Sequence, residues 1–400
     1  KLRYSRGTAG GRPNFADRFE TFSLQTGGGL SLSTLGNQYL KPEKTTEQEF
    51  GVDIIAFDRV SLQLTYAKQV TTDQLVAVPL PSLYGFESQW QNAGTIEGHT
   101  FEGMLEARLV NRPGLRWSVT LLADRSRNRI VEYDRPCHSE GLGYRCAGEV
   151  LGGMYGNKFL TSHDELPAIH ANSHDAFQVN DDGLLVPVGF GNSWKDGVAK
   201  DLWGTTVVID GVTYQWGRPI LLKNEDGTAA VVKIGDANPD FRWGLSQQFD
   251  WRDITLSVLV DGQVGGDVYN ATKQRMYQYA RHRDADQHDK PEERKKPRDY
   301  YTSGTAGLYN GNTYVSWFVE DGSFTRLREV SLRYRLRANR FAPLARLGVD
   351  DVTLSLIGRN LLLWTDYSGY DPEVGTAIER IDNFDYPSYR TLTASVEIQF

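Results

Sequence analysis

The sequence predicts an all-β chain, the wall of an antiparallel transmembrane β-barrel with about ten strands. Three observations carry that prediction. Apolar and polar residues alternate in segment after segment, so each strand has one oily and one wet face. The connections between these segments are short and long by turns. The chain also ends on its cleanest alternation. Leu392, Ala394, Val396, Ile398 and Phe400 alternate with Thr391, Thr393, Ser395, Glu397 and Gln399. On the edge of a soluble sheet so flat an apolar face would invite aggregation. In a membrane barrel lipid covers it, and water or polar side chains meet the other face.

The elements follow in order. LRYSRG, from Leu2, reads as a strand that begins in mid-pattern. No signal peptide precedes it, although export needs one, so the N-terminal part is expected to be missing through processing or truncation. Gln48, Phe50, Val52, Ile54 and Ala56 then alternate with Glu47, Glu49, Gly51 and Asp53. After Asp58 and Arg59 the pattern restarts with Val60, Leu62, Leu64 and Tyr66. Phe101, Gly103, Leu105, Ala107 and Leu109 lead to the turn residues Pro113 and Gly114, and Leu115, Trp117, Val119, Leu121 and Ala123 return. Phe241, Trp243, Leu245 and Phe249 pair in the same way with Ile254, Leu256, Val258 and Val260. Val330, Leu332, Tyr334 and Leu336, then Val352, Leu354 and Leu356, precede the last strand. Connections are short at 58–59, 111–114 and 250–253, and moderate at 338–349. They are long at about 9–45, 78–95, 134–238, 273–322 and 367–388, as expected for periplasmic turns and extracellular loops. The loop at 134–238 is long enough to need structure of its own. VVIDGVTYQWG at 207–217 predicts a hairpin turning at Asp210-Gly211, and AVVKIGD at 230–236 a further strand.

Composition narrows the function. No run of about 18 apolar residues exists, which excludes transmembrane helices and leaves barrels open. The formal charge of −7 argues against a nucleic-acid binder. The basic run at 281–298 is interleaved with acids and reads as a solvated loop. Cys137 and Cys146 lie close together in a Gly-rich polar loop, which in an exported protein suggests a local disulfide, with two free thiols the alternative.

Enzyme signatures are missing. There is no nucleophile elbow, and Gly27-Gly28-Gly29 lacks the Lys and helix of a phosphate loop. His163, His170 and His174 cluster near acids but match no compact ligand spacing, so a solvated loop is expected there rather than a metal site. The turns at 180–183 and 224–227 carry oxygen ligands suited to calcium, yet turn chemistry alone explains their Asn, Asp and Gly. No cofactor is therefore expected. Trp194, Trp203 and Trp216 are candidate substrate-facing loop aromatics, and a hydrophobic cluster tying the loop together is the competing reading.

The C-terminal third is more specific. EDGSFTRLREVSLRYRL (320–336), LSLIGRNLLLWTDYSGYDPEVG (354–375) and YPSYRTLTASVEIQF (386–400) resemble the C-terminus of the SusC/RagA family of TonB-dependent outer-membrane transporters. LGNQYLKPEKTTEQEFGVD (35–53) and NAGTIEGHTFEG (92–103) look like barrel segments of the same family. The resemblance covers most of the chain outside the long loops. It implies a 22-strand outer-membrane barrel around a plug, of which residues 1–400 are the C-terminal portion. Plug, TonB box and the first half of the barrel are absent from this sequence. It implies nutrient uptake of oligosaccharides or oligopeptides, energised by the TonB complex through the missing N-terminal region, with a SusD-like surface lipoprotein as partner. It also implies that the last strand, ending on Phe400, is the signal read by the barrel assembly machinery. Gly369 and Asp371-Pro372 read as turn residues that order a loop before that strand, with a structural role. Two other readings compete. A self-contained ten-strand barrel, acting as surface protease or adhesin, requires the first strand to pair with the last. A soluble secreted β-protein requires the apolar faces to be covered by protein.

Overall fold

A computed structural model describes residues 1–400 except Asn312, Ala342, Leu344, Ala345 and Leu347. Ten strands form one sheet: β1 (Leu2–Gly11), β2 (Glu43–Ala56), β3 (Val60–Thr72), β4 (Thr95–Arg112), β5 (Leu115–Glu132), β6 (Phe241–Trp251), β7 (Ile254–Val264), β8 (Phe324–Arg337), β9 (Asp351–Thr365) and β10 (Thr391–Gln399). Each pairs antiparallel with its sequence neighbours. Among the described residues β1 pairs in this sheet only with β2, and β10 only with β9, so first and last strands do not close on each other. The prediction of about ten up-and-down strands holds.

The register explains why the sheet has two different faces. Directly opposed residues share a face. Ile54 opposes Leu62, Leu62 opposes Leu105, Leu105 opposes Leu121, and Leu121 opposes Leu245. Farther along, Tyr334 opposes Leu354, and Leu354 opposes Val396. One-residue slips would throw each of these side chains into the polar face. Among the described residues no second layer covers the apolar face. Leu356 is 61% exposed, Val396 65% and Leu392 82%. The soluble reading requires these faces to be packed under protein, and among the described residues they are not.

The buried core lies elsewhere, in the long connections. These run through 12–42, 73–94, 133–240, 265–323 and 366–390, all at one end of the sheet. The opposite end carries the tight turns at 57–59, 113–114 and 252–253. Gly114 takes a positive φ of 77°, which its lack of Cβ permits. The connection expected at 338–349 lies partly outside the described residues.

The hairpin predicted at 207–217 is present as Thr206–Ile209 against Val212–Gln215. Asp210 and Gly211 sit at φ 49° and 80°, as a type I′ turn demands. Val231–Asp236 is also a strand, paired with Gly153–Asn157.

Two short helices, α1 (Ala271–Gln278) and α2 (Arg298–Thr302), lie within 265–323. Around them Tyr269, Tyr277, Tyr300, Tyr301, Leu308 and Phe318 bury together with Leu142, Met154, Phe159 and Leu184 from 133–240. Two long loops thus share one core, and Ile381 of the third packs against it. We refer to this body as the cap.

Candidate functional site: the polar wall, the cap and a basic cleft

The inward face of the strands is polar because every second residue is polar. Arg3 lies across Gly51 and reaches Glu49 at 3.2 Å and Asp53 at 3.0 Å. Glu329 pairs with Arg359 at 2.8 Å. At the rim, Arg326 on β8 is almost fully buried and donates to Asp371 at 2.5 Å. Its Nε stands 3.1 Å from Glu373, an ion-pair contact. Arg328 bridges Glu373 and Asp261 at 2.9 Å each. Asp371 also accepts from the backbone N–H of Glu373 and of Ser388, both at 3.0 Å. Burial pushes the Asp371 carboxyl up, but these amides and Arg326 outweigh it and hold the group below the usual carboxylate range. The Asp-Pro-Glu block is thus a clamp that fixes the 366–390 loop to the wall.

Tyrosine hydroxyls and buried ions join the cap's loops. Tyr300 donates to Asp182 at 2.7 Å and accepts from Asn180 at 2.8 Å. Burial first, then Asp182, pushes its hydroxyl well above the ordinary range, so it stays a donor. Lys296 is buried and bonds Asp181 and, at 2.8 Å, Asp182. The same lysine lies over the rings of Trp194 and Tyr300. Arg218 bonds Asp299 and lies over Trp203. Arg380 passes between two carbonyls, donating to Pro372 at 2.6 Å and Gly266 at 3.2 Å. A Cβ on Gly322 would meet the Gly266 oxygen at 2.5 Å, so only glycine fits beside it.

Several sequence expectations are corrected here. His170 is not a solvated loop residue. It is fully buried, with its ring nitrogens 2.9 Å from Asp210 and 2.8 Å from the Tyr214 hydroxyl. His163 and His174 stack on each other at 5.3 Å. The basic run is not wholly solvated either, since Lys296 is interior. The acidic turn at 180–183 faces that lysine, and Asp226 accepts from the N–H and hydroxyl of its neighbour Thr228. Trp216 is buried and donates to the Val188 carbonyl at 2.9 Å. Trp203 packs edge-on against it at 5.1 Å, and Trp194 is half-buried in the same cluster. Cys137 and Cys146 are bridged, with Cα atoms 4.8 Å apart. The bridge closes a loop of about ten residues, which is expected to stabilise by about 2–3 kcal/mol. Mass spectrometry of unreduced protein is expected to find it intact. Alkylation of both thiols without reductant would reject it.

An open cleft of about 400 Å³ lies where α1 and the 281–283 turn meet the 366–390 loop. Lys273, Arg281 and Arg283 line it, beside Met276, Ser368 and Tyr370. Lys273 is paired to Glu320 at 3.1 Å; Arg281 is exposed, and the Arg283 side chain, 3.9 Å from Asp284, is 88% exposed. Tyr370 stands 79% exposed above Gly369. A cationic rim with a bare aromatic beside it suits an anionic group attached to an apolar or planar body. No periodic pattern marks this cleft, and sequence reading missed it.

Comparison with known proteins places this architecture. A family model described as "TonB dependent receptor-like, beta-barrel" matches residues 1–138. The TonB-dependent receptor P26 of Formosa agariphila is 26% identical over 395 residues, covering 93% of this chain and 36% of that protein. TonB-dependent receptor P3 of the same organism is 24% identical over 412 residues, covering 96% of this chain and 37% of its own length. The chain therefore spans little more than a third of these curated relatives. The RagAB peptide importer in its open-open state has a TM-score of 0.67 at 20% identity, over 100% of this chain and 40% of that one. Its closed-closed state gives 0.65. At that identity the likeness is one of fold.

Proposed function

Taking the chain as a length of TonB-dependent receptor β-barrel, a structure of the bacterial outer membrane, we propose that it forms part of the wall and outer mouth of an importer of oligopeptides. The observation that carries this reading is the pairing of a lipid-facing apolar belt with a polar inner wall, crowned by the cap and its basic cleft. Ten strands make less than half of a 22-strand ring, so the remaining strands and the plug belong to the parent molecule in this proposal. Energy would come from the TonB complex through that N-terminal region. A SusD-like lipoprotein would cover the long-loop end. The barrel assembly machinery would take up β10, beside which Phe400 stands 80% exposed.

The cleft favours a peptide over a neutral oligosaccharide. Arg281 and Arg283 offer planar donor forks to a carboxylate, and Met276 with Tyr370 offers apolar surface to a side chain. The full-length protein carrying both Arg281→Glu and Arg283→Glu is expected to lose uptake of a labelled acidic oligopeptide by about tenfold or more, the worth of one or two charged hydrogen bonds. Uptake in the unmodified protein should stop when TonB is removed. Undiminished peptide uptake by the variant, or loss of neutral oligosaccharide uptake instead, would overturn the assignment.

A further inference from the structure

The register arranges outward side chains of β1 to β6 in three rows near the long-loop end. The middle row is aromatic. Tyr4 opposes Phe50, Phe50 opposes Tyr66, and Tyr66 opposes Phe101. Ring centroids lie 4.9 Å apart for Tyr4 and Phe50 and 4.8 Å for Tyr66 and Phe101. The next residue in this row is Arg125, opposite Phe101, with Phe241 nearby on β6. Below it, toward the tight turns, come Leu2, Val52, Leu64, Gly103, Ala123 and Trp243. Above it come Arg6, Gln48, Lys68, His99 and Arg127.

Gly103 and Ala123 interrupt the belt. Between larger neighbours they leave a hollow of about 870 Å³ whose lining side chains are mostly apolar and whose upper lip is Arg125. Of the other cations in the upper row, Arg6 stands exposed on the edge strand β1, and the rest are engaged. Lys68 and His99 share Glu97 at 2.9 and 2.8 Å. Arg127 bonds the Pro239 carbonyl and lies 3.5 Å from Asp240. Arg125 is exposed, and among the described residues its side chain has neither a hydrogen bond nor an ion pair.

We propose that this outward hollow binds a phosphate-bearing lipid of the outer leaflet, with an acyl chain over Gly103 and Ala123 and the phosphate on Arg125. An exposed guanidinium beside an aromatic girdle faces headgroups, and an anionic headgroup is the partner that matches its charge and fork. The aromatic rings beside the hollow hold the chain at the depth where headgroup and hydrocarbon meet.

The inference rests on the apolar face meeting lipid, and the test separates the two. Full-length protein is reconstituted with bisphosphorylated lipid A and with its dephosphorylated form, and bound lipid is counted by native mass spectrometry. Heat-modifiable migration reports folding and insertion independently. The unmodified protein is expected to retain the phosphorylated form selectively. Arg125→Gln should lower that retention about fivefold, the effect of one basic group at a lipid surface. Arg125→Lys should restore part of it. Gly103→Leu should displace the lipid by filling the hollow, where its Cβ would meet only Leu64 Cδ2 at 3.5 Å and the Ala123 oxygen at 4.0 Å. Equal retention of both lipids, undiminished retention in folded Arg125→Gln, or displacement by inorganic phosphate alone would overturn the proposal.

Discussion

Val396→Arg is expected to block assembly of the full-length protein, while Glu397→Arg, one residue on, is expected to be tolerated. Val396 stands in the outward row of β10, 65% exposed and opposite Leu354. Hydrocarbon must cover that side chain, and a charge there costs about 2–4 kcal/mol near mid-bilayer. The folded-to-unfolded ratio should therefore fall by at least about thirtyfold. Glu397 points to the opposite face, where water solvates either charge. Folded and unfolded species are read from heat-modifiable migration after refolding into lipid. Equal effects of the two substitutions would mean that the faces are reversed or that neither meets lipid.

Arg326→Met is expected to release the 366–390 loop from the wall. The substitution leaves Asp371 buried and charged beside Glu373, with only backbone amides to hold it. Breaking one side of a buried ion pair costs about 3–5 kcal/mol. Hydrogen exchange across 366–390 should rise sharply, while exchange in the sheet stays unchanged. Replacing both partners, Arg326→Met with Asp371→Leu, should recover much of the loss, because no uncompensated charge remains.

The pH dependence has a definite sign. The folded Asp371 carboxyl titrates below its ordinary value, so its contribution is fully present above about pH 4 and is lost on further acidification. Protection of the loop's amides, corrected for the intrinsic exchange rate at each pH, should therefore fall as the pH drops below about 4. The Met variant should lack most of that acid step. An identical acid profile in both proteins would show that Asp371 is not the titrating clamp.

What could be read from the sequence follows from where periodicity exists. The strands were legible because one face of each touches hydrocarbon, which forces an alternation that survives any change of neighbours. Their order was legible from the alternation of tight turns and long connections. The role of the 366–373 segment as loop-ordering was legible from Asp371 and Pro372, although not its anchor, Arg326, which lies 45 residues away. Inside the cap there is no period to read. Lys296 meets Asp181 across 115 residues, and Asn180 meets Tyr300 across 120. A lysine amid Glu, Arg and Pro looks like surface until the aspartates and rings that enclose it are known. His170 was misread for the same reason, since Tyr214 and Asp210 lie on a hairpin about forty residues on.

The cap's shared tyrosine core has a consequence for any partner of the long-loop end. Connections this long in a barrel would ordinarily be a fringe of mobile chain. Here their shape is set when the protein folds. A visiting macromolecule meets a preformed relief and loses little entropy in ordering it, so modest contact area suffices for a tight fit. It also follows that the loops at 133–240 and 265–323 cannot loosen one at a time.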